Sequence, residues 1–520
     1  GAPVTSYSNV DPKDIGIAAL EAATKAGVVV TVSAGNDGPG AGTIADLASA
    51  PDVITAGAIV NDRGLGYAVQ VSGANPYQAL PGTGPAPSQP VSGTLVDAAT
   101  VDPTGQACSP LPASAVSGKV VLIQRGSCTF ENKVNDAAAG GALAAIIYNN
   151  AGASLISMSV GSATLPAVFI GQPDGTDLQS RLAANPGLQV TLDFSGISAF
   201  AIRTDLVSFS SRGPSIGSAM KPDLLAVGAE LITAAQNTYS DGESYDPSGY
   251  INTAGTSFSA PLTAGAAAIL KAARPGLTVA QYRSLLINNA GPATTGPGVS
   301  ATVQQAGGGV LNVAAALGGT VTAYPTSLNF GLGAGSISQN LNLSLSNVGT
   351  SSDTYSIAVV PSGNSPAPAP SASTLRLDAN GSQQIALTLN ASGLAEGEYQ
   401  GYVQVTGTAS QNVIQIPYWF AVPGSTPAAI SVLYSDASDS PASTARAAVL
   451  FRVVDVAGLP FSGSVTPKVV ISTGGGTVRN TYRAGSVPGT YAVDIRTGTG
   501  TMQVDITVGS LTQSVVIPVF

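Results

Sequence analysis

Asn252-Thr253-Ala254-Gly255-Thr256-Ser257-Phe258-Ser259-Ala260-Pro261 is the stretch whose reading decides what this chain is. Gly255 permits a tight backbone approach, small residues follow Ser257, and the Ala-rich run from Leu262 to Ala273 predicts a helix that begins almost at once. A serine at such a helix N-terminus lies beside unpaired backbone N–H groups and the positive end of the helix dipole, which favour developing negative charge. Taken alone, the fragment reads as a helix cap, because Thr and Ser are preferred there. The chain also contains no histidine. A serine hydroxyl is almost fully protonated at neutral pH and attacks a carbonyl only when a neighbouring base accepts its proton.

Working outward, 520 residues exceed one ordinary core and predict three or four domains. With 62 Gly, 35 Pro and only 9% charged residues, turns and strands are expected rather than coiled coil. A net charge of -9 disfavours nucleic acid and anionic membrane surfaces as partners, which reward basic stripes. No stretch has the length and apolarity of a membrane span; the longest candidates, such as Ala142 to Tyr148, have core-strand length. No signal peptide is visible, but a chain that begins with Gly rather than Met has an amino end that was lost or processed, so export stays open. Cys108 and Cys128 read as one local disulfide made in an oxidising compartment, with two buried free thiols as the alternative.

At the start, Asp11 can cap a helix with Pro12 in its first position, and Ile15, Ala18, Ala19, Ala22, Ala23 and Ala26 share one face before Gly27. The β-branched run Val28 to Val32 predicts a parallel strand buried on both faces, leading into the Ser33-Ala34-Gly35-Asn36-Asp37-Gly38 turn; Val53 to Val60 predicts a second strand. Polar residues at the carboxyl ends of such strands are where open α/β sheets place ligands. Between residues 65 and 199 the texture changes to Gly- and Pro-rich loops with a strand at Lys119 to Gln124, a helix at Asn132 to Ala139 and a strand at Ala144 to Asn149, an α+β insertion. The first texture resumes after residue 200, and Val279 to Asn288 predicts a further helix. Alternation such as Leu341-Asn342-Leu343-Ser344-Leu345 predicts an antiparallel sandwich over 321–422, and Val504-Asp505-Ile506-Thr507-Val508 a second over 428–520, joined by the linker Pro423 to Pro427.

Gly255-Thr256-Ser257-Phe258-Ser259-Ala260-Pro261 with Thr263 to Ala268 resembles the nucleophile motif and following helix of the subtilisin-like serine peptidases, the subtilases. Ser33-Ala34-Gly35-Asn36 is similar to that family's oxyanion turn. Ser210-Ser211-Arg212-Gly213-Pro214, Lys221-Pro222-Asp223 and Gly307 to Leu317 match further segments in the family's order. The resemblance implies Ser257 as nucleophile, Asn36 as oxyanion donor, Ala34 and Gly35 at the substrate cleft, and protein or peptide substrates. A neutral amide suits that task because it donates without changing protonation. By residue type alone, Asn36 in a Gly-flanked turn is more often a left-handed residue stabilising the bend.

This sequence departs from the family pattern in one respect. The family's Asp and His precede both the Asn and the Ser, and these 520 residues hold no such pair. Gly1-Ala2-Pro3 resembles the end of the substrate-binding edge segment, so the chain reads as amino-terminally truncated and inactive by itself. Leu262 stands where many relatives have a histidine outside the triad, a neutral change. Lys221 is an alternative base in principle, although its Pro-Asp context fits a structural motif. Sedolisins, which use Ser, Glu and Asp, are an alternative family, but they place an Asp where this chain has Asn36. The contrasting class is a non-catalytic pseudopeptidase or adhesin.

Within the insertion, Cys108, Leu111-Pro112, Gly118 to Leu122, Arg125 to Phe130, Lys133, Tyr148-Asn149-Asn150 and Leu165 to Val168 resemble a protease-associated (PA) domain, which would restrict access or hold substrate. Arg125 by itself reads as a surface or turn salt bridge. Residues 321–422 resemble a fibronectin type III-like appendage, and 428–520 an invasin-like bacterial immunoglobulin domain, with spacer or surface-contact roles. Calcium is common in the family, yet no acidic loop has ligand spacing, and Asp241, Glu243 and Asp246 read as a solvated loop, so no cofactor is assigned. The expected architecture is multidomain: a partial α/β parallel-sheet domain of subtilase type (1–64 and 200–318), an inserted α+β PA domain (65–199) and two all-β sandwiches, in a secreted or cell-surface protein.

Overall fold

The computed structural model describes residues 15–152, 155–215, 217–239, 245, 246, 248–435, 441–463, 466–484 and 489–519. They form two compact units: one made of the described parts of Gly1–Ile59, Ser208–Val227 and Gly255–Phe520, the other of Val60–Val207 and Gly228–Ala254. The second is wider than the 65–199 insertion expected from composition.

In the first unit, α1 (Ile15–Lys25) is terminated by Gly27, whose φ of +93° suits glycine and strains other residues. The expected cap at Asp11 and Pro12 lies outside the described residues. β1 (Thr31–Ser33) pairs in parallel with β2 (Ile54–Val60), Thr31 opposite Ile54 and Ser33 opposite Ala56. The run Val28 to Val32 is therefore not a doubly buried strand. Only its end pairs, Val28 is 50% exposed, and none of the α1 residues is buried. The physical reason is that β1 is the edge of a three-stranded sheet, with a neighbour on one side among the described residues.

The second unit is built on a closed seven-stranded barrel. Its strands are β3 (Arg63–Val71), β4 (Tyr77–Pro81), β5 (Val91–Asp97), β6 (Val120–Gln124), β7 (Ala144–Tyr148), β8 (Ala167–Ile170) and β9 (Gln189–Ala201), arranged β3-β4-β8-β7-β6-β5-β9. The helices are α2 (Ala113–Val116), α3 (Phe130–Ala139) and α4 (Gln172–Ala184). β5 to β8 run parallel as β5-β6-β7-β8, with α3 as the crossover between β6 and β7. β9 pairs antiparallel with both β3 and β5 and closes the cylinder. β6 is buried on both faces: Val120 and Leu122 pack with Val69 and Leu192, while Val121 and Ile123 pack with Val134 and Phe169. Cys108 and Cys128 form a disulfide.

β10 (Leu224–Ala229) is the third strand beside β2, and β11 (Leu231–Ala234) and β12 (Tyr250–Thr253) make a hairpin with Ala234 opposite Tyr250. Helix α5 (Thr256–Ala273) and helix α6 (Val279–Asn288) follow. α6 starts at a capping box, where Thr278 Oγ1 accepts from Gln281 N–H and Gln281 Oε1 accepts from Thr278 N–H. The sheet and helices share a core of Ile54, Ala56, Leu224, Ala267, Leu270 and Leu285.

Residues 321–422 form a four-stranded and a five-stranded sheet around one core that includes Leu343, Leu387, Tyr355 and Val403. One pairing departs from the expected antiparallel pattern: Leu328–Leu332 runs parallel to Val413–Val422. A second pair of sheets encloses Phe451, Val493, Val504 and Ile517. The segment 423–427 is tied to both sandwiches, since Gly424 N–H donates to Asp455 and Ser425 N–H donates to Glu396. Asp353 anchors the 408–410 turn. Burial pushes its carboxyl up, but donation from Ser410 Oγ and from the N–H groups of Ala409, Ser410 and Thr354 outweighs this and holds it at about 2. A depressed acid stabilises above its unfolded value and loses that contribution as pH falls through the folded one. Acid unfolding of the first sandwich between pH 4 and 2 is therefore expected to weaken in Asp353→Asn relative to wild type, read by circular dichroism at each pH.

Candidate active site

Ser257 is the second residue of α5 and is exposed. The preceding Gly255 has φ +156° and ψ 148°, a region essentially restricted to glycine, which lets the chain turn directly from β12 into the helix. Ser257 is not the cap: that position belongs to Gly255, and no hydrogen bond to Ser257 Oγ occurs among the described residues. Its N–H lies in the first helical turn and has no intrahelical acceptor. Ser259 Oγ, fully buried, donates to Ala226 O at 3.1 Å and ties α5 to β10.

Asn36 lies in the turn after β1, and its amide orientation is fixed by Thr256. Asn36 Oδ1 accepts from Thr256 N–H at 3.0 Å and from Thr256 Oγ1 at 2.9 Å, and Thr256 Oγ1 in turn accepts from Gly35 N–H at 3.2 Å. With the amide oxygen engaged, the NH2 faces Gly255. The point where a Cβ on Gly255 would stand lies 3.7 Å from Asn36 Nδ2 and 3.7 Å from Ser257 N. Asn36 Nδ2 and Ser257 N, with Phe258 Cδ2 at 3.8 Å, thus surround one position beside an exposed serine.

Ala34 and Gly35 form a buried floor behind Asn36. Ala34 N–H donates to Ala56 O, its carbonyl accepts from Ala45 N–H, and Gly35 O accepts from Ser211 N–H. Gly35 has φ +111°, and an added Cβ would meet Ser211 Oγ at 2.7 Å. Thr256 and Ser211, whose Oγ accepts from Asp37 N–H at 3.1 Å, brace the 34–37 turn, a part that sequence reasoning missed. Both lie inside recognised motifs, but only their partners reveal what they hold.

Lys221 occupies the other end of the strands, at the amino-terminal approach to β10, and is 3% exposed. Its Nζ donates to Asp223 Oδ2 at 2.6 Å and to Val53 O at 3.4 Å, and burial pulls the ammonium below the usual lysine range. It is spent on the core. Arg125 donates to Asn149 Oδ1 at 3.1 Å rather than to a carboxylate. Among the described residues no three His, Cys, Asp or Glu side chains gather into a group that could hold a metal ion. Asp246 Oδ1 accepts from Ser248 N–H and Oγ, while Asp241, Glu243 and the Gly1-Ala2-Pro3 segment lie outside the described residues.

Comparison with known proteins assigns the family. The Subtilase family model, Peptidase_S8, matches residues 3–335. The chain belongs to the subtilase family. Similar subtilases include the minor extracellular protease Vpr of Bacillus subtilis, 28% identical over 280 residues, which cover 52% of this chain and 32% of Vpr. Another is subtilisin-like protease SBT1.6 of Arabidopsis thaliana, 32% identical over 345 residues, which cover 61% of this chain and 43% of the relative. The chain thus spans well under half the length of either. Among solved structures, the psychrophilic subtilisin-like protease Apa1 from the Antarctic psychrotroph Pseudoalteromonas sp. AS-11 shares 16% identity over 59% of this chain and 67% of its own, with a TM-score of 0.31. Among the described residues no helix is long and apolar enough to cross a membrane.

Proposed function

We propose that these residues carry the nucleophile and oxyanion hole of a secreted subtilisin-like endopeptidase, which hydrolyses peptide bonds of protein substrates through an acyl-enzyme on Ser257. The observation that carries this reading is that Asn36 Nδ2 and Ser257 N lie equally near, at 3.7 Å, to one position beside Gly255. Ser257 Oγ attacks the scissile carbonyl, and the carbon–oxygen double bond opens to a tetrahedral oxyanion that accepts from those two N–H groups. Collapse expels the amine, which takes the proton that the serine gave up. Because Thr256 fixes the Asn36 amide beforehand, no reorientation is needed as the charge develops. Ala34 and Gly35 support the cleft floor.

The proton acceptor lies outside these 520 residues, which contain no histidine. A longer protein carrying the family's Asp and His would complete the machinery, and these 520 residues alone are expected to be inactive. Open apolar surface supports a completing layer: Leu262 and Ile269 on α5 are 47% and 54% exposed, and the β1 edge lacks a second neighbour among the described residues. The barrel unit acts as a PA domain, and the fibronectin-like and immunoglobulin-like sandwiches serve as spacers or surface contacts. Export is supported by the Cys108–Cys128 disulfide and by the extracellular relative Vpr.

In the longer protein carrying that Asp and His, Asn36→Ala is expected to lower kcat by about 10²- to 10³-fold with KM little changed, the magnitude being that known for subtilisin. Steady-state peptide hydrolysis checks this. An unchanged kcat removes Asn36 from the oxyanion hole, and a wild-type protein without hydrolysis favours the non-catalytic binding class.

A further inference from the structure

The turn between β10 and β11 concentrates two unfavourable features at one residue. Glu230 has φ +56°, a left-handed conformation that residues other than glycine rarely adopt. It is also 6% exposed, and no cation pairs with it among the described residues. A buried carboxylate on a strained backbone persists only where its surroundings over-determine it. Here they do. Oε1 accepts from Leu155 N–H at 3.1 Å, and Oε2 accepts from Asn252 Nδ2 at 2.9 Å and from Gln78 Nε2 at 3.5 Å. The Glu230 carbonyl accepts from Asn61 Nδ2 at 3.4 Å.

These partners connect distinct parts of one unit. Gln78 lies on β4, and Leu155 lies on the segment between β7 and β8, so both belong to the barrel. Asn252 lies on β12, opposite Ile232 of β11. β12 continues through Ala254 and Gly255 directly into Thr256 and Ser257.

We infer that Glu230 is a positioning residue whose carboxylate ties β12 to the barrel and thereby fixes the strand that delivers Ser257. The inference rests on Ser257 being the nucleophile. Glu230 touches no reacting atom and acts through Asn252. An ionised carboxylate suits the position because every group facing it is a donor. A glutamine would set its NH2 either against Gln78 Nε2 and Asn252 Nδ2 or, flipped, against the Leu155 N–H, so a donor is opposed in both orientations.

Glu230→Gln keeps the backbone strain and size while removing the charge, and Asn252→Ala cuts the tie from the other side. Measured on the 520-residue chain, backbone hydrogen exchange of residues 250–256 is expected to rise about tenfold in either variant, with β6 and β7 unchanged. The double variant should exceed the worse single one by no more than about twofold, because both remove the same link. In the longer protein, either variant should lower the limiting rate of fluorophosphonate labelling at Ser257 about tenfold while the half-saturating probe concentration stays the same. Unchanged exchange across 250–256, or additive effects in the double variant, overturns the tie. A wild-type longer protein that resists labelling overturns the reading of Ser257 instead, and exchange on the 520-residue chain still decides the tie.

Discussion

Replacing Ser257 with alanine in the longer protein that supplies the family's Asp and His is expected to lower kcat for peptide hydrolysis by about 10⁶-fold, the scale known for the subtilisin nucleophile. The size follows from the division of labour. The Asn36 amide and the Ser257 N–H survive the substitution, since one is set by Thr256 and the other is backbone. A residual rate of roughly 10³- to 10⁴-fold over water is therefore expected from the oxyanion hole and binding alone. KM should change little, because the hydroxyl's contribution is realised in the transition state. The measurement is peptide turnover with protein purified free of host peptidases, and a variant retaining more than about a tenth of wild-type kcat is incompatible with this role.

The second large effect concerns stability. Asp223→Ala is expected to destabilise the sheet domain of the 520-residue chain by about 3 to 5 kcal/mol, because it leaves the buried Lys221 ammonium without its counter-ion. Asp223 Oδ2 accepts from Lys221 Nζ at 2.6 Å and from Thr55 N–H at 2.7 Å, so the substitution also orphans a buried donor on β2. Lys221→Met strands the Asp223 carboxylate in turn, leaving it the Thr55 N–H, and should also destabilise, whereas the double variant Lys221→Met/Asp223→Leu should be milder than Asp223→Ala. Urea unfolding of wild type and the three variants gives the ordering. A double variant no milder than Asp223→Ala would mean that the pair is not held as a desolvated unit.

The elements that sequence revealed were those with local causes. α6 follows its capping box at Thr278 and Gln281, and β6 and β7 follow continuous apolar runs. β1 was overextended, because a β-branched run reports strand preference and not whether neighbours cover both faces. Closure of the barrel depends on β9 reaching both β3 and β5, pairings more than 90 residues apart that no local pattern encodes. At the candidate site, Ser257 and Asn36 are nominated by motif order. The parts played by Thr256, Ser211 and Glu230 were not legible, because each depends on a partner distant in sequence. Glu230 carried no local signal at all, since left-handed backbone is read from glycine and asparagine and not from glutamate.

The most direct test of the central claim is peptide mapping after exposure to a fluorophosphonate serine-hydrolase probe. The account predicts no adduct on the 520 residues alone, whose Ser257 has no base, and a single stoichiometric adduct on Ser257 in the longer protein with its Asp and His. Rapid labelling of Ser257 in the 520-residue chain, or an adduct on a different serine in the longer protein, would contradict it.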